Sequence, residues 1–138
     1  MRITPVIFPP IKIEPPANPN FGYNPPLKKA FKKGLMPEVT HGLFGMPIDN
    51  ETVTTEHLTP ASKGGGLQLN NIALSHWFKN CQRGVEPIEK FVTKEMWIKY
   101  LKQFINVKNK YVDGMQYIKA ICKRFKFDIK EVLKWLKK

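Results

Sequence analysis

The sequence predicts a small single-domain α+β protein, and three observations carry that expectation. The chain has 138 residues, near the commonest size for one domain and too short for two independent cores. From Gly34 to about residue 70, Gly, Pro and β-branched residues dominate, and Thr52-Val53-Thr54-Thr55 reads as a strand. From Asn71 onward the apolar residues fall at helical spacing.

The elements follow in order. Eight of the 12 prolines lie within residues 1–26, where they remove backbone donors and oppose both helix and central strand. Ile3, Val6, Ile7, Phe8, Ile11, Ile13, Phe21 and Tyr23 make this arm too apolar for a solvated linker, so it is expected to drape over the domain or a partner. LKKAFKKG at 27–34 reads as a short basic helical turn ended by Gly34. A hairpin is expected over 41–56, and Ser62-Lys63-Gly64-Gly65-Gly66 is a loop with close backbone approach. Asn70 or Asn71 would cap a three-turn helix closed by Gly84, buried through Ile72, Leu74, Trp77, Phe78 and Cys81. A second helix would run from Pro87 to about residue 106, with Phe91, Met96, Trp97, Leu101, Phe104 and Ile105 as its buried stripe. A third is expected from about Met115 to Phe125, and a fourth from about Ile129 to the end, with Asp128 as its N-cap. The organisation is one domain in three zones: a proline-rich and basic arm (1–40), a middle unit (41–85) and a basic helical extension (86–138).

Composition narrows the partners. Lys and Arg number 23 against 11 Asp and Glu, a net charge of +12, which points to a polyanion. No run approaches the roughly 18 apolar residues of a membrane span, so a membrane-spanning protein is excluded. MRITPVIFPPIKIEPP lacks the apolar core and cleavage site of a secretory signal, so export by that route is not expected. Two cysteines, Cys81 and Cys122, are too few for a disulfide scaffold and suit a reducing interior as small buried thiols.

Residues 56–84 read EHLTPASKGGGLQLNNIALSHWFKNCQRG. Glu56-His57 closes a strand, Pro60 lies three residues beyond His57, Ser62-Lys63-Gly64-Gly65 forms a loop, Asn71 stands fourteen residues after His57, and Asn80 nine after that. This arrangement resembles the HNH endonuclease family, whose members carry an acidic-or-His/His pair, a Pro, a Ser-Lys-Gly-Gly-like loop, an Asn, and a final His or Asn on a helix. Several spaced identities over 29 residues, with strand before and helix after, separate the match from chance. It covers about a third of the chain, residues 41–56 included, and says nothing about the arm or the C-terminal helices.

The resemblance implies a ββα-metal core that sets His57, at a strand end, across a divalent cation from Asn80. It implies hydrolysis of DNA phosphodiesters, by nicking or double-strand cutting, with RNA the less expected substrate. His57 would be the general base, its ordinary pKa lying near neutrality. Glu56 and Asn80 would offer oxygens to one Mg²⁺ or Mn²⁺, and the Asn71 amide would tie the long loop, hold the His57 backbone and cap the following helix. Lys63 and Arg83 would touch flanking phosphates. Where many relatives hold a structural zinc with two Cys-x-x-Cys pairs, register places His41, Phe44, His76 and Lys79, so no structural zinc is expected. Phe44, Trp77 and Phe78 would pack there instead, with a two-His zinc site as the lesser alternative. Similar free-standing nucleases occur in phage and mobile elements, which implies a bacterial cytoplasm.

Charge is distributed to match. Residues 41–85 balance at zero, residues 1–40 carry +4 and residues 86–138 carry +8, as expected if the flanks grip phosphate while a neutral unit does chemistry. IKAICKRFKFDIKEVLKWLKK faintly resembles a helix-turn-helix, but Lys126 stands where Gly usually makes the turn, favouring an ordinary antiparallel helical pair. Two further readings stay open: a non-catalytic nucleic-acid-binding module on the same scaffold, and a nuclease active only in a partner complex formed through the arm.

Overall fold

The computed structural model describes residues 25–137; the expectations for the proline arm up to residue 24 lie outside the described residues. The fold is mixed helix and strand, as the α+β expectation requires. Helix α1 (Pro26–Lys32) has Pro in its first turn, where the missing N–H removes no intrahelical bond, and ends before Gly34 at φ 74°. Strands β1 (Val53–His57) and β2 (Ile72–His76) form a two-stranded antiparallel sheet with His57 opposite Ile72 and Thr55 opposite Leu74. Helix α2 (Trp77–Arg83) leaves β2 without a linker. Then follow α3 (Lys94–Lys102), α4 (Gly114–Phe125) and α5 (Ile129–Leu136).

Three expected elements are corrected. The three-turn helix from Asn70 or Asn71 is instead a five-residue strand followed by a two-turn helix. Ile72, Ala73, Leu74 and Ser75 are all buried, and an apolar run buried on both faces has no periodicity to separate strand from helix. The hairpin expected over 41–56 is absent: His41 and Pro47 make one isolated bridge, and β1 finds its partner beyond the long loop. The helix expected from Pro87 begins at Lys94, because Thr93 caps it through Met96 N, while Pro87 opens a single 3₁₀ turn. Its buried stripe loses Phe91, which is exposed. Helices α4 and α5 lie where the sequence places them, with Asp128 accepting from Lys130 N and Glu131 N.

The core lies around β2. Its edge away from β1 would leave backbone groups unpaired in an apolar interior, and side chains from two helices close it. Leu74 N–H donates to the Tyr100 hydroxyl of α3 (2.9 Å), the Tyr117 hydroxyl of α4 donates to Ile72 O (2.7 Å), and the two hydroxyls are 3.0 Å apart. Leu43 N–H donates to Leu74 O at 2.8 Å. Tyr117's proton goes to Ile72 O, so Tyr100 donates to Tyr117 and the chain is complete. Burial pushes both phenols upward from their ordinary pKa. Trp97, Tyr100, Phe104, Tyr117, Ile118 and Ile121 fill the space between sheet and helices.

Candidate active site

The site is built where β1 ends, where the 58–71 loop turns back, and where α2 lies along the sheet. His57 is the last residue of β1 and half-buried. Burial, and after it the nearby Arg83 charge, holds its imidazole below the ordinary value, favouring the neutral base. On α2, Asn80 donates through Nδ2 to Thr55 O at 3.1 Å, which ties the helix to β1 two residues before His57. Among the described residues that is the one hydrogen bond of its side chain, and Oδ1 accepts none.

The loop is held by Asn71. Its Oδ1 accepts from Thr59 N–H at 2.7 Å, and its Nδ2 donates to Thr59 O at 3.1 Å and Gly66 O at 2.8 Å. Leu58 N–H donates to Asn71 O at 2.8 Å. Asn71 therefore ties the loop as expected, its side-chain grip beginning at Thr59, two residues after His57. The expected helix cap is not present: Asn71 ends a 3₁₀ turn before β2, and His76 caps α2 by accepting from Phe78 N–H at 3.1 Å. A Cβ on Gly65 would stand 1.7 Å from Thr59 O, so only glycine lets the loop pass this close. Gly64, at φ 90°, supplies the preceding left-handed turn.

Glu56 and Arg83 are placed differently from expectation. Glu56 is fully buried and ion-paired with Arg83, itself 2% exposed. Arg83 also donates to His57 O (2.7 Å), Leu58 O (2.6 Å) and Glu86 O (2.8 Å). Its guanidinium is thus engaged inside the fold and is not offered to flanking phosphates. Burial pushes the Glu56 carboxyl upward, while Arg83 and Ser75 pull it back. Lys63 is exposed on the loop, with Nζ on Val85 O at 3.3 Å.

Of the two oxygen donors expected for Mg²⁺ or Mn²⁺, Glu56 is engaged within the fold. Among the described residues Asn80 Oδ1 has no hydrogen-bond partner, while Glu56 has Oε2 on Arg83 and Oε1 3.4 Å from the Ser75 hydroxyl. A hard cation favours several oxygen donors with anionic character, and here the anionic one is already neutralised.

Two packing expectations also change. Trp77 is 50% and Phe78 44% exposed, so only Phe44 of the three packs against the core. Cys81 is exposed rather than buried. His41 is bonded to Thr40 Oγ1 and His76 to the start of α2.

Arg124 is the residue that sequence reasoning missed. From α4 it donates to Asn71 Oδ1 (2.6 Å), Asn70 O (2.9 Å) and Thr59 Oγ1 (2.7 Å), so the extension braces the clamp that follows His57. A single basic residue 53 positions from its partner leaves no local signal. Among the described residues, no helix is long and apolar enough to cross a membrane. The chain matches no family model, no curated protein and no solved structure.

Proposed function

We propose that this protein is an endonuclease of the HNH type that hydrolyses DNA phosphodiesters with His57 as general base. The observation that carries the reading is the sequence of elements around His57: a strand ending in it, a return strand, and a helix whose Asn80 is bonded to Thr55 beside it. Deprotonating water at neutral pH needs a neutral base held still. His57 is half-buried, shifted toward its neutral form, and its backbone is gripped by Arg83 while the Asn71 clamp begins two residues on. Lys63 and the +8 of residues 86–138 suit the phosphate backbone. Mg²⁺ or Mn²⁺ is the cofactor implied by the resemblance, and Asn80 is the residue with an oxygen to offer it.

The test is cleavage of supercoiled plasmid with Mg²⁺ or Mn²⁺, compared with His57→Ala and with chelator present. Nicked or linear product that disappears in both controls supports the reading. Equal cutting by His57→Ala removes His57 as the base.

The engagement of Glu56 by Arg83 favours a second reading, a nucleic-acid-binding module on the same scaffold. It predicts salt-dependent DNA binding by the folded protein without cleavage of DNA or RNA under any divalent cation.

A further inference from the structure

The Glu56–Arg83 pair is the feature that the nuclease reading leaves unused. Arginine carries five N–H groups, and four of Arg83's have acceptors: Glu56 Oε2, His57 O, Leu58 O and Glu86 O. Three of those acceptors lie on the consecutive residues 56–58, so one guanidinium holds the Glu56 carboxylate together with the His57 and Leu58 carbonyls. Glu56 meanwhile has no exposed surface, and Ser75 stands beside its second oxygen. Extracting that carboxylate to bind a cation would leave the Arg83 charge buried and unpaired, a costly arrangement.

We propose that Glu56 is not a metal ligand: with Arg83 it forms an internal pair that positions His57 through the carbonyls of His57 and Leu58. The inference rests on the nuclease reading for what His57 does. The burial and pairing of Glu56 are independent of that reading.

Mn²⁺ titration followed by electron paramagnetic resonance, on the full chain, tests the ligand assignment. Glu56→Gln retains an amide oxygen to accept from Arg83 and is expected to match the wild type in Mn²⁺ uptake within about threefold. A loss of about tenfold in Glu56→Gln, with its circular dichroism unchanged, overturns the proposal.

Positioning is tested by Arg83→Lys, which keeps the charge but lacks the planar fork that reaches both carbonyls. It is expected to lower kcat by about tenfold or more with KM unchanged. An unchanged kcat, or a loss confined to KM, overturns the positioning role. A denaturation cycle gives a measurement free of metal and activity: Arg83→Met should lower the urea midpoint much less in a Glu56→Gln background than in the wild type. Additive shifts overturn the pair. Should the wild type neither take up Mn²⁺ nor cut DNA, the nuclease reading fails and the cycle alone decides the pair.

Discussion

Asn71 grips the Thr59 backbone on both sides of its Cα, accepting its N–H at 2.7 Å and donating to its carbonyl at 3.1 Å. The pair mimics a short piece of β-ladder made by one side chain, and it closes the loop between the strands two residues after His57. Because Asn71 is buried, the groups it satisfies have no ready substitute.

Asn71→Ala is therefore expected to destabilise the fold by about 2–3 kcal/mol, since buried peptide groups lose their partners. Arg124→Met should cost about 1 kcal/mol. Arg124 and Asn71 share one hydrogen bond, so the double variant should lose less than the sum. Urea denaturation of the four proteins measures this, and strict additivity would remove Arg124 from the clamp.

Tyr117→Phe keeps the ring among Tyr100 and Phe104 but leaves Ile72 O without its donor and Tyr100 without its acceptor. A loss of about 1–3 kcal/mol is expected. Faster amide exchange at Leu74, whose N–H donates into the same chain, would accompany it.

Lys126 takes φ 59° between α4 and α5, in the left-handed region where a Cβ is strained. Lys126→Gly is expected to raise stability by about 0.5–1 kcal/mol, read as a higher melting temperature. A decrease would mean that the side chain contributes more than its backbone costs.

The His57 imidazole lies below the ordinary value of 6.5, through burial and then Arg83. A general base works unprotonated, so the acidic limb of a cleavage profile should fall below pH 6.5 rather than at or above it. The same sign holds for stability: a depressed histidine contributes stability above its unfolded pKa, which is lost as pH falls through that value toward the folded one. A limb above pH 7 would assign the titration to another group.

Several helix ends are legible in the sequence because their signals are local. Asp128 precedes α5 as an N-cap, and Gly34 follows the basic turn of α1, each within a few residues of what it controls. The Ile72–His76 segment was misread because burial on both faces erases the alternation that marks a strand. Trp77 and Phe78 were expected inside because they are large and apolar, but at the start of α2 they face outward.

By itself the sequence determined the order and spacing of the site: Glu56-His57 after a β-branched run, glycines where the loop must pass close to Thr59, Asn71 at the loop's return, and Asn80 before Gly84. These follow from backbone preferences and short-range geometry. Only the tertiary structure decided which of those groups are engaged within the fold. Glu56 is buried because Arg83 returns beneath the strand from 27 residues away, and Asn71 is braced because Arg124 arrives from α4. Pairings at such distances are set by how the helices pack on β2, and no local pattern encodes them.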